Sequence, residues 1–429
     1  MLSPDTSILI IGTLTQIYRG TFGISTAYHL AKRGYKNITA IDRNLCPSVD
    51  SAGYDLNKIV RTEYDDDFYT KMALEALEKW RAPEFAGIFH ETGRLTTTNG
   101  NQAALDHLRQ SHQNLQSAGQ ADRARLVSGR AEIVSLIPQL SGAVGLDSWT
   151  GLFNAQGGWV HARKALEKWA AAASLMGVSF ISGPRGTMTG LEVSDGKIVG
   201  VRTQAGDVLT ADQYILCTGA ASPELLPELA PQLWSKCWTV GHIELSEEEA
   251  REWRGIPVID HFELGFAFEP DGEFRRIKIC DNTPGYQNCT ATYTDASGSK
   301  VPYSVPRYAS THPSDGIPAE SAAGIRAYID TVMPQFSGRP LVDTKVCWCT
   351  DSPDAHFLID RHPKYAELLL ATGDSGHAFK MFPVIGDYIG DALEGKERGL
   401  KQEWKFGGRK GKPVAMRPDT EVKDLRDVL

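Results

Sequence analysis

"ILIIGTLTQIYRGTFGISTAYHLAKRGYKNITAID", residues 8–42, decides the fold. A short apolar run over 8–11 ends at Gly12, Gly20 and Gly23 open an amphipathic segment, and a second apolar run closes at Asp42. Strand, glycine turn, helix and strand in that order open a dinucleotide-binding fold, whose fingerprint is G-x-G-x-x-G. The glycines let backbone N–H groups approach a pyrophosphate at a helix N-terminus. An acid closing the second strand accepts hydrogen bonds from a ribose diol, and Asp42 lies 19 residues after Gly23 (42 − 23). Gly20-Thr21-Phe22-Gly23 keeps the helix-entry half of the pattern. Seven residues, 13–19, separate Gly12 from Gly20 where the pattern has one, a surplus of six (7 − 1). Two readings stay open. The surplus is a loop insertion that leaves Gly12 and Gly20 neighbours in space, since lengthening a loop costs little. Alternatively it is translated intron sequence, because Leu-Thr followed by Tyr-Arg-Gly can be encoded by a branch signal and an acceptor site.

The bulk properties bound the rest. At 429 residues the chain is too long for one ordinary core, so two lobes are expected. Hydrophobic content of 41% and charged content of 23% describe a globular protein. A formal net charge of −8 argues against nucleic acid as the main partner. No apolar stretch has the length of a membrane span, and the first strand begins too early for a signal peptide. Cytosol is the expected compartment. Seven cysteines, at 46, 217, 237, 280, 289, 347 and 349, lack a disulfide spacing. Cys347-Trp348-Cys349 is too tightly spaced for a zinc knuckle, so no metal is expected and most thiols read as small buried apolar groups.

Three apolar runs end in glycine: 8–12, "YILCTGAAS" (214–222) and "ELLLATGDSGHAFKMFPVIGDYIGDAL" (367–393). Such ends lie at the carboxyl edge of a parallel sheet, where these folds place ligands. Their spread along the chain predicts a nucleotide lobe assembled from distant segments. "PVIDHFELGFAFEP" (257–270) alternates and is aromatic, which suits antiparallel strands of a second lobe. Apolar spacing predicts helices over 26–33 and 161–173. The polar, Gly-rich tail beyond Lys401 is expected to wrap the surface or move.

Four further motifs occur in order: "SAGYDLNKIVR" (51–61), "RRIKICDNTPGY" (275–286), "KVCWCTDSPDAHFLIDRHP" (345–363) and "TGDSGHAFKMFPVIG" (372–386). Together they resemble the monomeric sarcosine oxidase and fructosyl amino acid oxidase (amadoriase) family of flavoproteins, over about residues 7–396. The resemblance implies an α/β fold with a Rossmann-like FAD-binding lobe of the glutathione-reductase type, discontinuous in sequence. Beside it would lie an α+β substrate lobe with a mixed or antiparallel sheet. The division drawn is 1–90, 151–222 and 341–400 for the FAD lobe, 91–150 and 223–340 for the substrate lobe, and 401–429 for the tail. The implied reaction is oxidation of a secondary amine beside a carboxylate, giving an imine and hydrogen peroxide. The implied partners are a small amino acid substrate and molecular oxygen, and the implied state is a monomer.

By the same resemblance Cys347 corresponds to the cysteine that bonds the flavin 8α-methyl through sulfur, chemistry that a nearby cation favours by stabilising a thiolate. Lys278 corresponds to the lysine that assists reaction with oxygen, where a fixed cation in a low-dielectric site stabilises the anion formed. The bland alternative, with Arg275 and Arg276 beside it, is a solvent-facing strand lysine. Arg61 and Lys380 correspond to the substrate-carboxylate pair, a planar fork plus a point charge. For Arg61 the competing reading is a surface ion pair with the acids at 63, 65, 66 and 67. Gly12, Gly20, Gly23, Asp42, Arg43, Asn57 and Lys58 are candidate cofactor contacts, as are Gly373, Gly376, His377 and Lys380.

One position departs from the family. Amadoriases carry glutamate and sarcosine oxidases histidine four residues after the oxygen-side lysine, and this chain has Asn282 (278 + 4). The neutral amide leaves the substrate side chain open. Phe262, Phe266, Phe268, Trp234 and Trp238 could line a pocket for a large one, or simply fill a sheet core. Two rival functions follow: a tailoring oxidase of an N-methylated aromatic amino acid, and a non-catalytic flavin-binding relic. The C-terminal "LRDVL" lacks a Ser-Lys-Leu-type peroxisomal tripeptide.

Overall fold

Ser7–Ile11 is buried from Ile8 onward and runs through the middle of a six-stranded sheet in a computed structural model that describes residues 2–12, 20–46, 50–396, 399–407 and 421–429. Its alternation decides the layers. Ile8 and Ile10 face one core with the helices, while Leu9 and Ile11 face another with Met188, Ile198 and Val201. The strand order is Leu358–Arg361, Leu368–Thr372, Gln213–Leu216, Ser7–Ile11, Asn37–Ile41, Ser179–Ile181. All pairs are parallel except the edge strand Leu358–Arg361. The three glycine-ending runs are therefore adjacent strands of one sheet, as their shared pattern predicts. One face carries the helices Thr21–Lys32, Ala162–Leu175 and Phe382–Leu393. Ser25 ties the first to the last: its hydroxyl donates to the Phe382 carbonyl (2.6 Å) and accepts from the Gly386 N–H (2.9 Å). A small antiparallel sheet, Met188–Ser194, Lys197–Thr203 and Val208–Leu209, covers the other face.

The second lobe is a ten-stranded mixed sheet. Trp234–Glu244 pairs antiparallel with both Arg276–Asp281 and Val342–Asp351. "PVIDHFELGFAFEP" becomes Val258–His261 and Gly265–Ala267, antiparallel to each other, but Val258–His261 also pairs parallel with Arg94–Thr98. Helix Ala319–Val332 packs Ile325, Tyr328 and Ile329 against this sheet.

The pairing redraws the lobes in two places. Thr150–Asn154 joins Arg94–Thr98 and Ala124–Ser128 in the large sheet, so a boundary at 151 cuts through a strand. Val342–Asp351 also belongs to the large sheet, although the sequence division assigns it to 341–400, the third segment of the nucleotide lobe. Hydrogen-bonded strand partners, distant in the chain, decide membership here. The tail is also more integrated than its composition suggests. Trp404 is fully buried and donates to the Tyr69 hydroxyl (3.0 Å), and Lys423–Asp424 pairs with Tyr286–Gln287. Among the described residues no helix is long and apolar enough to cross a membrane.

Candidate active site

The carboxyl ends of the parallel strands meet at Gly12, whose N–H donates to the Ile41 carbonyl at 2.8 Å. A Cβ at Gly12 would lie 2.6 Å from Asp42 Oδ2 and 2.8 Å from that carbonyl, so only glycine lets the two strand ends approach. Asp42 is fully buried and its Oδ1 accepts from the Asn44 N–H (3.0 Å). Gly20 caps the helix Thr21–Lys32, and Gly23 is buried within it. The half-buried Arg43 follows, its carbonyl bonded to the Gly183 N–H (2.8 Å). Residues 13–19 lie outside the described residues. The adjoining loop holds Gly373, Ser375 and Gly376 at φ of 71°, 46° and 67°. Ser375, a non-glycine residue in the left-handed region, is kept there by its N–H bond to the Thr350 carbonyl (2.8 Å). Such local strain clusters at ligand sites.

Asp55, absent from the sequence-based candidates, organises the next group. Its Oδ2 accepts from Lys278 and lies 2.9 Å from Lys58 Nζ. Lys278 also donates to the Asn57 carbonyl (3.1 Å) and lies 5.1 Å from the Phe268 ring. It is 2% exposed, which disposes of the solvent-facing reading. Burial penalises the Asp55 carboxylate, but Lys278, then Lys58 and Lys345, hold its pKa well below the usual range. Burial likewise penalises the Lys58 ammonium, yet Asp55 and then the Cys347 sulfur raise its pKa. Asn57 has a buried side-chain oxygen with no partner among the described residues.

Cys347 and Cys349 project from the same face of Val342–Asp351, two residues apart. Cys347 is half-buried and lines a cavity with Tyr54, Asp55, Lys345 and Trp348. Cys349 is buried under Trp238, whose indole N–H lies 3.1 Å from its sulfur. Burial, then Asp351, pushes the Cys349 thiol well up. Of the two, Cys347 is the accessible sulfur and the one within electrostatic reach of Lys58.

Lys380 closes the site. It is buried, its ammonium donates to the His377 carbonyl at 3.2 Å, and it makes no ion pair among the described residues. Burial first, then Arg61 and Arg94, hold its pKa well below 10.5, against a weaker upward pull from Glu63. Lys58 also lowers it, so the Arg61–Lys380 pair and the Lys58–Asp55–Lys278 group lie within one electrostatic neighbourhood. Arg61 stacks on the Tyr64 ring (3.9 Å) and donates to the Glu63 carbonyl. Its acidic neighbours are engaged elsewhere. Asp65 pairs with His107 (3.0 Å), Asp66 with Lys401 (2.9 Å) and Asp67 with Lys71 (2.5 Å). Glu63 is buried and bound to Arg94 and the Asn154 amide, while Arg94 also grips Asp260. The competing surface ion pair for Arg61 is therefore not made. Glu63, Arg94 and Asp260 are the remaining residues the sequence reading missed.

His377 is buried and its pKa lies well below 6.5, through burial and then Lys380. Its Nε2 bonds the Ala355 carbonyl (2.9 Å), which leaves Nδ1 to accept from the Tyr64 hydroxyl (3.3 Å). Asn282 follows the Lys278 strand and donates to the Glu263 carbonyl. The five aromatic candidates do not form one pocket. Phe266 and Phe268 pack with Trp159 near Lys278, and Phe262 lies beside Leu108 and Leu115. Trp234 and Trp238 flank the buried Lys236 at 5.3 and 4.4 Å.

These residues fit a flavin dinucleotide. A close-approach glycine, a helix N-terminus and a buried acid suit the nucleotide end; the orphaned Asn57 oxygen and uncompensated cations suit the ring and an anionic reactant. The comparisons agree. Residues 19–392 match the family "FAD dependent oxidoreductase". L-saccharopine oxidase of Schizosaccharomyces pombe is 34% identical, over 94% of this chain and 92% of its own. Monomeric sarcosine oxidase of an Arthrobacter species is 25% identical, over 92% and 94%. The structure of fructosyl peptide oxidase from E. terrenum superposes with a TM-score of 0.90 at 35% identity, over 100% of this chain and 98% of that one. The chain belongs to the family of FAD-dependent oxidoreductases, on the branch of the sarcosine oxidases and amadoriases, and is a flavin-dependent amine oxidoreductase.

Proposed function

We propose that the protein oxidises the C–N bond of an N-substituted α-amino acid to an imine and hydrogen peroxide, with the substrate carboxylate between Arg61 and Lys380 and the flavin bonded to Cys347. One observation carries the reading: a buried ammonium and a guanidinium within electrostatic reach, with no carboxylate among the described residues paired to either. Bound FAD supplies the hydride acceptor and the route of electrons to oxygen. Arg61, oriented by the Glu63 carbonyl and the Tyr64 ring, offers its fork to the carboxylate. Lys380 adds charge, and together they fix which carbon of the amine is presented for oxidation. Lys278 is the cation for the oxygen step. Similarity to an L-saccharopine oxidase puts saccharopine first among substrates to test. Peroxide formation is to be compared for saccharopine, sarcosine, pipecolate, fructosyl-valine and N-methyl-tyrosine. Preference for N-methyl-tyrosine selects the tailoring reading, and no turnover of any α-amino acid in the panel overturns the proposal.

Two expected results belong to this site. Acid precipitation should leave the wild-type pellet yellow, and Cys347→Ala should release its flavin to the supernatant while Cys349→Ala does not. Colour retained by Cys347→Ala moves the link elsewhere. Second, an arriving carboxylate supplies the anion that Lys380 lacks, so its pKa rises on binding and a proton is taken up. The affinity of a simple carboxylate inhibitor should fall as pH rises between the depressed pKa of the free site and the restored one of the complex. Indicator-dye titration should show uptake approaching one proton per ligand; binding without uptake across that window refutes the coupling.

A further inference from the structure

We propose that Asp55 is a positioning residue that sets both the place of Lys278 and the net charge of the lysine pair facing the flavin. The inference rests on the reading of Lys278 as the oxygen-side cation. Both ammonium groups converge on a single oxygen, Asp55 Oδ2, while Oδ1 accepts the Leu56 N–H at 2.9 Å. The carboxylate is thus fixed by its own backbone, and it is 3% exposed. Neither Lys58 nor Lys278 pairs with any other carboxylate among the described residues.

Besides Asp55, the Cys347 sulfur also favours the charged form of Lys58. Lys345 approaches from the Cys347 strand, and Cys280 is two residues along from Lys278. His242, directly opposite Lys278 in the antiparallel register, is kept below its usual pKa chiefly by burial. Two ammonium groups with one carboxylate give the group a charge of +1; without Asp55 the same two lysines repel at short range in a poorly screened site. Asp55 therefore anchors Lys278 where repulsion from Lys58 would otherwise displace it. Its position three residues before Lys58 lets one short loop supply both the carboxylate and a lysine, while Lys278 arrives from the large sheet.

The test uses the holoenzyme and two readouts: sulfite affinity, read by bleaching of the flavin, and the rate of reaction of the reduced enzyme with oxygen in stopped flow. Asp55→Asn removes the negative charge and should raise sulfite affinity about tenfold while slowing the oxygen reaction about tenfold, since Lys278 loses its anchor. Asp55→Glu keeps the charge but moves the oxygen, so sulfite affinity should stay near wild type and the oxygen rate should fall. If Asp55→Asn does not fold, Asp55→Glu alone carries the test. The double variant Asp55→Asn/Lys58→Met restores the balance and should bring sulfite affinity back toward wild type. A general loss of packing would weaken sulfite binding and oxygen reaction together. Wild-type oxygen rates in the folded Asp55 variants overturn the proposal, as does sulfite affinity unmoved by Asp55→Asn. An oxygen rate untouched by Lys278→Met instead overturns the reading of Lys278 on which it rests.

Discussion

Lys380→Met is expected to lose carboxylate recognition and to gain stability in the same step. Removing one member of a desolvated charge contact costs 2–5 kcal/mol or more, so kcat/KM for the best amino acid substrate should fall by about two orders of magnitude or more. The decarboxylated amine, which never used the contact, should be turned over by variant and wild type alike. Stability moves the other way. Lys380 is depressed in the folded protein, chiefly by burial and then by Arg61 and Arg94, whereas its reference pKa is 10.5. Between that depressed value and 10.5 the unfolded chain therefore binds more protons than the fold, and below it folding carries the full cost of a buried ammonium with no carboxylate partner among the described residues. That cost shrinks as pH rises from the depressed value toward 10.5. Methionine removes it, so the cofactor-free variant should gain about 1–2 kcal/mol at pH 7, and the advantage should fade by pH 10. Thermal melts at the two pH values check the sign. A variant that melts lower at pH 7 and still discriminates acid from amine contradicts both arguments.

Lys278→Met should separate the two halves of the reaction. The ammonium is 2% exposed and paired with a carboxylate, so its field acts in a poorly screened interior. Anion stabilisation by one preorganised donor is worth about 10²–10³ in rate, and the oxygen reaction of the reduced enzyme should slow by that factor. On the proposed reading, anaerobic reduction by substrate depends on Arg61 and Lys380, so it should change little. Stopped-flow mixing of reduced variant with oxygen gives the first rate, and anaerobic mixing with substrate the second. Equal losses in both would mean that Lys278 supports the packing of the Asp55 loop and nothing more specific.

The legibility of the site follows from the range of its interactions. The three strands ending in glycine share a local signature, and the fold brings them side by side because each is apolar on both faces. Cys347, Lys278, Arg61 and Lys380 sit in contiguous motifs, and that is what makes them candidates in the sequence. Asp55 was in view, inside "SAGYDLNKIVR", but nothing local distinguishes a carboxylate that bridges two lysines from one that faces water. Its partner Lys278 is 223 residues away. Glu63 illustrates the opposite error: it reads as part of an acidic run beside Arg61, yet Arg94, 31 residues on, takes its carboxylate. Pairing in the large sheet likewise claimed Thr150–Asn154 and Val342–Asp351 through partners that composition does not reveal.

From its sequence alone this protein was determined to have a glycine-turn nucleotide lobe, a second lobe of alternating strands, and a set of basic and thiol groups in a fixed order. Those features are local: apolar periodicity, backbone freedom and motif spacing act over a few residues. Only the tertiary structure decided which cations meet no carboxylate among the described residues, which thiol stays accessible and which aspartate joins two lysines. Charge compensation and burial depend on what arrives from elsewhere in the chain, and a group's neighbours in space set its energy far more strongly than its neighbours in sequence.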